Sequence, residues 1–290
     1  MALKKKILIT GANGFVGSKL SQYLCASGHF VVESVRDPVN SNQVKLDLNW
    51  SEIPKNYFKD IDIVIHCAAN VHNKNSTESI FTQNTDFTEL MLERVIEDKV
   101  KRFIFISTVG VFGKDFSQYP ISDQSELNPK NDYSRSKLQA EKILKLKLTK
   151  SDVFFNILRL PLIIGANAPG TYGTLLKGID RGFPFPFKGA TNRRSIILID
   201  DLARCLDKII KDDIYINDAG ILCHPTPLNT AELILYGGKV LSKKVRLFRF
   251  PKMVFLVLLK VLGQEKVYHQ AFDSLEFVLH PKFRKFFNLK

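Results

Sequence analysis

The chain has 290 residues, of which 45% are apolar and 24% are charged. This is the composition of an ordinary folded globule, so it excludes intrinsic disorder and a collagen-like architecture. Lysine and arginine outnumber aspartate and glutamate by 42 to 29, which gives a formal net charge of +13. A basic surface of this kind suits anionic partners such as nucleotides, phosphorylated substrates, acidic lipid or nucleic acid.

Cysteine usage and the lengths of apolar runs indicate the compartment. The four cysteines are far apart and form no Cys-x-x-Cys pair: Cys25, Cys67, Cys205 and Cys223. This spacing argues against a bound metal and a disulfide framework, and it fits a reducing cytosol. The apolar run at residues 7–9 is too short for a signal peptide. The longest run, at residues 253–259, is far below the roughly 18–20 residues of a spanning helix. We therefore expect a cytoplasmic protein without membrane insertion.

The first 165 residues alternate short β-rich runs with helical patterns. Strands are predicted at residues 7–10, 30–35, 44–46, 61–67, 102–106 and 153–160, and helices at residues 18–27, 84–97 and 132–148. Strands that are apolar throughout are typical of a sheet covered on both faces. The alternation of strands and helices predicts a doubly wound parallel sheet of the α/β class.

The composition changes after residue 165. Residues 166–189 are rich in Gly, Pro and Phe, which predicts an irregular loop region. Helices are predicted at residues 201–211 and 229–236, followed by a basic, apolar tail. We expect a nucleotide-binding Rossmann domain over residues 1–165. Residues 166–290 then form a smaller, mainly substrate-binding part that is interleaved with the core.

A glycine-rich turn separates the first predicted strand from the first predicted helix. Gly11, Gly14 and Gly17 have the spacing Gly-x-x-Gly-x-x-Gly. Glycines at this point let the backbone turn sharply and approach a pyrophosphate at a helix N-terminus. A turn without a ligand is the alternative, but the strand before it and the helix after it favour a dinucleotide site. Asn13 and Phe15 belong to the same turn and are predicted to contact the cofactor.

The end of the second strand, about 20 residues beyond the glycines, selects between NAD and NADP. Arg36 stands there, and a guanidinium favours the 2′-phosphate of NADP. The adjacent Asp37 could instead bind the ribose hydroxyl of NAD, so we expect NADP and leave NAD open. Asp47 follows the third strand and is predicted to contact the adenine, with a helix N-cap as the alternative. Leu48 beside it is counted as a further cofactor contact.

A phenol and an ammonium are four residues apart on one predicted helix face, at Tyr133 and Lys137. A nearby lysine stabilises a phenolate and lowers the phenol pKa, which makes tyrosine a usable acid or base. A solvated helix face is the alternative for this pair alone. Thr108 adds specificity, because it lies at the carboxyl end of a strand, where open α/β sheets place ligands. Its hydroxyl is predicted to bind the same substrate oxygen as Tyr133.

These residues resemble those of the extended short-chain dehydrogenases/reductases of the nucleotide-sugar epimerase/dehydratase type. Further matching motifs are Asp62-Ile-Val-Ile-His-Cys-Ala-Ala69, Asn84, Ser107-Thr-Val-Gly-Val-Phe-Gly113, Arg159-x-Pro161 and Arg194-Ser-Ile-Ile-Leu-Ile-Asp-Asp201. The resemblance implies that Thr108, Tyr133 and Lys137 are catalytic. It also implies that Tyr133, Lys137 and Ala68 contact the cofactor. Family members often have Tyr at the position of Phe112.

Two residues of the second half are candidates for substrate binding. Arg194 follows Arg193 between a loop and an apolar strand, and guanidinium groups bind phosphates bidentately. The resemblance implies that Arg194 holds the diphosphate of a nucleotide sugar, and a solvated surface pair is the alternative. Phe187, with Phe183 and Phe185, could stack on a uracil ring or simply pack.

Three reactions are possible on this scaffold. Dehydration is disfavoured because family dehydratases have Asp-Glu after the threonine, whereas Thr108 is followed by Val109 and Gly110. Residues 192–195 and the basic tail from Arg249 to Tyr268 resemble reductases of UDP-4-keto-6-deoxy-N-acetylhexosamines. Arg36 suits the NADPH that such a reductase takes from solution. Such enzymes form UDP-N-acetylquinovosamine or UDP-N-acetylfucosamine (UDP-QuiNAc or UDP-FucNAc) for surface polysaccharide. A UDP-hexose 4-epimerase with tightly bound NAD is the alternative.

The remaining predictions concern binding partners and the basic, apolar tail. A dinucleotide-sensing regulator would lack the Tyr/Lys pair, and scattered lysines without a recognition module disfavour nucleic acid. The resemblance implies a homodimer formed through residues 84–97 and 134–148. Residues 253–259 are apolar all round, which favours a buried helix closing the substrate part. Docking on an anionic membrane surface is the alternative because basic residues surround this run: Lys243, Lys244, Arg246, Arg249, Lys252, Lys282, Arg284 and Lys285.

Overall fold

The computed structural model describes residues 4–48, 50–69, 77–261, 263 and 265–287 of the chain. The strands are β1 (Lys6–Thr10), β2 (Phe30–Val35), β3 (Gln43–Lys45), β4 (Ile63–His66), β5 (Arg102–Thr108), β6 (Phe154–Leu160), β7 (Leu162–Ile164), β8 (Pro184–Phe185), β9 (Ile196–Leu198), β10 (Ala219–Ile221) and β11 (Arg246–Leu247). The α-helices are α1 (Phe15–Ala26), α2 (Thr77–Glu97), α3 (Asp132–Leu148), α4 (Gly170–Asp180), α5 (Ile199–Lys211), α6 (Thr230–Val240), α7 (Lys252–Val261) and α8 (Glu265–Phe272). Short 3-10 helices occupy Val109–Phe112 and Pro281–Phe287.

Seven parallel strands form the main sheet in the order β10-β6-β5-β4-β1-β2-β3. The order reverses between β1 and β4, which makes the carboxyl ends of these two strands the place where open α/β sheets bind ligands. Helices cover both faces of the sheet, since α1 packs on α5 and α2 packs on α3. The predicted doubly wound α/β fold is confirmed.

Side chains of the buried strands alternate between two apolar layers. Ile7 and Ile9 face the layer under α1 and α5, whereas Leu8 faces the layer under α2 and α3. This alternation explains why β1 is apolar throughout, because both faces of a central parallel strand are buried. Helix α3 has the predicted bounds, and the side chain of Asn131 caps it by accepting from the Ser134 N–H at 2.8 Å.

The second half of the chain forms a smaller part that shares elements with the sheet. Helix α5 and strand β10 return to the main sheet, while α4, α6 and the pairs β7–β9 and β8–β11 form a separate apolar core. The predicted boundary at residue 165 stays a prediction. The predicted loop over residues 166–189 is wrong for α4. Its Tyr172, Leu176 and Ile179 lie on one helix face and are buried, and this burial outweighs the weak helix propensity of the glycines.

Helix α7 is not the buried helix that its composition predicts. On one of its faces Met253, Val257 and Val261 are 71%, 59% and 80% exposed, whereas Leu259 on the opposite face is buried. The helix lies at the surface of the molecule. Although its residues 253–259 are all apolar, only the side with Leu259 packs against the rest of the described chain. The side chain of Lys252 lies outside the described residues. No helix in the described ranges is both long and apolar enough to cross a bilayer.

Residues 273–280 form an extended segment that crosses the smaller part. The Leu275 N–H donates to the Arg193 carbonyl and the Val278 N–H donates to the Ile121 carbonyl, both at 2.8 Å. The His280 N–H then donates to the Ile221 carbonyl at 2.9 Å. The end of the chain is thereby hydrogen-bonded to three segments that are far apart in sequence.

Candidate active site

The glycine turn is closely packed against the end of β4. Gly11 has φ +67°, and a Cβ built there would stand 2.9 Å from the backbone of Ala68. A Cβ at Gly17 would stand 2.2 Å from the Gly11 carbonyl oxygen. Gly14 is the N-cap of α1, and no side chain of the described residues caps this helix. The turn therefore leaves backbone N–H groups at a helix N-terminus for an anion, so these residues fit a dinucleotide pyrophosphate.

A buried histidine joins the ends of β1 and β4 beneath this turn. The Thr10 hydroxyl accepts from the Ala68 N–H at 3.1 Å and lies 2.7 Å from Nδ1 of His66. The Thr88 hydroxyl donates to the Asn84 carbonyl and lies 3.4 Å from Nε2 of His66. Burial, and to a lesser degree the charge of Lys137, holds the pKa of His66 well below its ordinary value. The imidazole is therefore neutral, and the hydrogen bonds favour a proton on Nε2. The sequence analysis did not assign His66 this role.

The residues predicted to select the cofactor lie at the same end of the sheet as the glycine turn. Strand β2 ends at Val35, and the exposed Arg36 follows directly. The Leu46 N–H donates to the Val35 carbonyl at 2.7 Å, which brings Asp47 and Leu48 beside the end of β2. The structure therefore gathers the glycine turn, Arg36, Asp47 and Leu48 at one edge.

The Thr108 hydroxyl is oriented by the short helix that follows β5. Its Oγ1 accepts a hydrogen bond from the Gly110 N–H at 3.0 Å, so its own proton remains for another acceptor. A Cβ at Gly110 would stand 2.4 Å from the Ser134 Oγ and 3.3 Å from the Thr108 Oγ1. The close approach explains why glycine occupies this position. It also brings Thr108 next to the first turn of α3, which contains Tyr133.

The Tyr133 and Lys137 side chains lie in a desolvated environment. Burial raises the pKa of Tyr133 to about 12. Burial also lowers the pKa of Lys137 to about 8, against smaller opposing effects of Cys67 and Glu141. The sequence predicts that Lys137 lowers the pKa of Tyr133, but this prediction is wrong. The Lys137 Nζ instead donates to the Ile106 carbonyl at 2.9 Å. The Tyr133 phenol is therefore protonated at neutral pH.

A buried ion pair supports the strand ends that position these residues. Both carboxylate oxygens of Glu141 accept from Arg159, from Nη2 at 2.7 Å and from Nε at 3.2 Å. The Ser107 hydroxyl donates to the same carboxylate at 2.5 Å. Both charged side chains are less than 5% exposed. The pair ties α3 to β5 and β6, and thus holds Tyr133 and Thr108 in a fixed relation.

A cleft of about 590 Å³ opens beside Thr108. Val109, Pro161, Phe187 and Arg194 contribute to its walls, so the structure brings both predicted substrate-binding residues to one site. Tyr172 also belongs to this wall, and its hydroxyl is buried without a hydrogen-bond partner in the described part of the chain. Sequence analysis missed Tyr172 because its helix was predicted as a loop.

Arg194 and Phe187 also have structural contacts. The Arg194 Nη1 donates to the Asp273 carbonyl at 3.1 Å, just beyond the end of α8, and burial lowers the pKa of its guanidinium. The Phe187 ring packs on Phe255 and Phe272 with centroid distances of 5.9 and 5.5 Å. Both side chains therefore contribute to packing within the protein, and both also line the cleft.

A parallel sheet with a glycine turn at its switch point, and a cleft next to Thr108, define a Rossmann-type α/β protein of the kind that binds dinucleotides. Residues 7–217 match the model of the NAD dependent epimerase/dehydratase family, and the chain belongs to this family. The UDP-glucose 4-epimerase of Vibrio cholerae is 28% identical over 289 residues, covering 94% of this chain and 87% of that relative. The N-acetyl-alpha-D-glucosaminyl-diphospho-ditrans,octacis-undecaprenol 4-epimerase of Escherichia coli O157:H7 is 24% identical and covers 86% of this chain and 76% of the relative.

The fold is also similar to solved structures. The UDP-glucuronic acid 4-epimerase from Bacillus cereus, crystallised in complex with NAD, superposes with a TM-score of 0.73 at 21% sequence identity. The superposition covers 96% of this chain and 91% of that protein. The similarity includes the smaller part as well as the parallel sheet.

Proposed function

We propose that the protein is an NADPH-dependent reductase of the 4-keto group of a UDP-4-keto-6-deoxy-N-acetylhexosamine, supplying UDP-QuiNAc or UDP-FucNAc for surface polysaccharide. The observation that carries this proposal is the exposed Arg36 directly after β2, beside the glycine turn. A guanidinium there suits the 2′-phosphate of NADP. NADPH exchanges with solvent in each turnover, as a reductase requires.

The residues proposed to hold the dinucleotide are those gathered at the carboxyl edge of β1, β2 and β4. The glycine turn with Asn13 and Phe15 binds the pyrophosphate, Arg36 the 2′-phosphate and Asp47 with Leu48 the adenine. Ala68 and Lys137 complete the site toward the substrate. When bound, the dinucleotide supplies the hydride that C4 of the keto sugar takes up.

The chain's own residues manage the proton at the C4 oxygen. Tyr133 is the proposed proton donor. Burial raises its pKa to about 12, so the phenol is protonated at neutral pH but is a weaker acid than an exposed tyrosine. The Thr108 hydroxyl accepts from the Gly110 N–H and donates its own proton as a hydrogen bond to the same oxygen. Lys137 is proposed to bind the nicotinamide ribose through its ammonium.

The cleft supports a nucleotide-sugar substrate. Arg194 presents a guanidinium that suits a diphosphate, and Phe187 presents an aromatic ring for the uracil. Tyr172 lines the same wall, but its hydroxyl is buried beside Gly237 of α6, so we assign that hydroxyl no contact with the substrate.

A UDP-hexose 4-epimerase with tightly bound NAD is the second candidate. The Vibrio cholerae relative described as UDP-glucose 4-epimerase aligns over nearly the whole chain, and Asp37 next to Arg36 could bind the ribose hydroxyl of NAD. An epimerase returns the hydride to the same sugar, so it needs no external reductant.

The two candidates differ in what they consume. We expect NADPH oxidation only with a UDP-4-keto-6-deoxy-N-acetylhexosamine, and NMR at C4 of the product then defines its stereochemistry. Arg36→Ala should weaken NADPH binding about 10- to 100-fold, the range of one charge-assisted hydrogen bond, with little effect on NADH. Lys59→Ala, at an exposed position outside the site, is the matched control. Interconversion of UDP-glucose and UDP-galactose without added cofactor would refute the reductase and support the epimerase.

The assembly and location are also proposals. A homodimer through α2 and α3 is supported by exposed apolar side chains on these helices, with Phe81 39% and Leu146 64% exposed. The cytosol is the proposed compartment, because nucleotide sugars are made there. Light scattering of the purified protein measures the oligomeric state, and Leu146→Glu should shift it toward the monomer.

A further inference from the structure

Helix α7 exposes an apolar face that no described part of the chain covers. Met253, Val254, Val257 and Val261 are 71%, 53%, 59% and 80% exposed. At 100° per residue these four positions fall within a single arc of about 100°, so they form one stripe. Leu259 on the opposite side is buried, which fixes the orientation of the helix.

The β8–β11 pair extends this stripe toward the substrate cleft. Phe183, Phe248 and Phe250 at its ends are 55%, 42% and 36% exposed. The Phe250 ring contacts Phe255 of α7 edge to face at 6.1 Å, and Phe255 in turn contacts Phe187 in the cleft wall at 5.9 Å. We call the exposed side chains of α7 together with these three phenylalanines the apolar face. The apolar face therefore adjoins the cleft.

The charged residues in the two segments that carry the apolar face are all basic. Residues 233–264 contain seven lysines and arginines and no aspartate or glutamate, and residues 181–199 contain four and none. Lys244, Arg246 and Arg249 are exposed around β11. Lys243 is paired with Asp180 at 3.2 Å. An exposed apolar stripe framed by cations is the pattern that binds the headgroup region of an anionic bilayer.

We propose that the apolar face docks the protein on an anionic phospholipid bilayer, with the cleft next to the membrane surface. The apolar side chains enter the boundary between headgroups and acyl chains, and the surrounding lysines and arginines contact lipid phosphates. A second copy of the chain fits this face poorly. A two-fold contact would bring the basic segments of both copies together with no acidic residue in either segment to pair with them. The charge pattern thus selects a lipid surface.

Co-sedimentation of the full chain with vesicles tests the proposal. At 0.15 M salt we expect binding to vesicles of phosphatidylcholine with 30% phosphatidylglycerol, little binding to phosphatidylcholine alone, and release at 0.5 M salt. Each cation near an anionic surface raises partitioning about fivefold, so Lys244→Glu with Arg246→Glu should lower it at least about 25-fold. Met253→Glu with Val257→Glu should lower it at least about tenfold, because each side chain then stays in water.

Matched variants elsewhere separate docking from general effects of charge and hydropathy. Val39→Glu replaces a residue that is 83% exposed in the loop after β2, and Lys150→Glu reverses a charge after α3. Both should bind vesicles as the unchanged chain does, and circular dichroism verifies that every variant is folded. Equal binding to neutral vesicles, or no loss in the Met253/Val257 variant, would overturn the proposal. Light scattering that shows self-association through this face, without vesicle binding, would assign it to a second copy instead.

Discussion

Replacing Lys137 by methionine should stabilise the protein while it inactivates the enzyme. The Lys137 amine is buried, and its pKa falls from 10.5 to about 8. At 1.36 kcal/mol per pKa unit, holding this group charged at pH 7 costs about 3 kcal/mol. Methionine has a similar length and no charge, but it loses the hydrogen bond to the Ile106 carbonyl, worth about 1 kcal/mol. The net gain in the free energy of unfolding is about 2 kcal/mol, or a Tm increase of about 3 °C for a chain of this size.

The gain depends on pH in a direction that follows from linkage. Between pH 8 and 10.5 the unfolded chain binds more protons at Lys137 than the folded chain does. The free energy of unfolding of the unchanged protein therefore rises with pH through this window, and the methionine variant lacks that rise. Its advantage should be largest below pH 8 and about 2.5 kcal/mol smaller at pH 10 than at pH 7.

Urea unfolding of both proteins at pH 7 and pH 10, without added dinucleotide, measures this difference. Lys142→Met is the control, because Lys142 is exposed on the same helix and its replacement should change stability little at either pH. A variant that is less stable at pH 7, or one whose advantage is the same at both pH values, would show that burial of the Lys137 charge is not costly. Turnover, measured in parallel, should fall at least about 100-fold if Lys137 assists Tyr133.

Three further substitutions test the site. Tyr133→Phe should bind the dinucleotide normally and lose kcat at least about 100-fold, the usual effect of a positioned acid; near-normal turnover would remove Tyr133 from the reaction. Gly11→Ala should abolish dinucleotide binding in calorimetry, because the new Cβ meets Ala68 at 2.9 Å and alanine strains at φ +67°; unchanged affinity would mean that the turn does not hold the pyrophosphate. Arg159→Met should destabilise by about 3–5 kcal/mol in urea unfolding, because Glu141 is left as a buried, unpaired carboxylate, and a loss below 1 kcal/mol would contradict that reasoning.

The sequence predicts those features that depend on neighbouring residues. The bounds of α3 are predicted correctly, because Asn131 caps its start and lysines occupy its last turn. The glycine turn and the Tyr133/Lys137 pair are likewise local patterns. By contrast, α4 contains three glycines, and its formation depends on contacts between Tyr172 and residues far along the chain, such as those of α6.

The site shows the same division. Thr108 is predictable from its position at the end of β5, but the neutral His66 beneath the glycine turn is not, because its partners Thr10 and Thr88 come from different elements. The pKa of Tyr133 also depends on burial that spacing does not reveal. The position of α7 could not be predicted either. Its apolar composition is compatible with a covered helix as well as with an exposed one, and the composition alone does not decide between them.

The extended segment at residues 273–280 has a consequence for synthesis on the ribosome. The parallel sheet from β1 to β6 is complete once residue 160 has emerged, and it can begin to fold from its N-terminal end. The cleft requires more of the chain, because its wall includes Leu275 and Phe277, which are made more than 100 residues after the end of β6 at Leu160. The hydrogen bonds that residues 275–278 make to residues 121 and 193–195 close loops of more than 75 residues, a slow step for a growing chain. A nascent chain can therefore bury its glycine turn early, while the substrate cleft forms only after residue 277 has emerged.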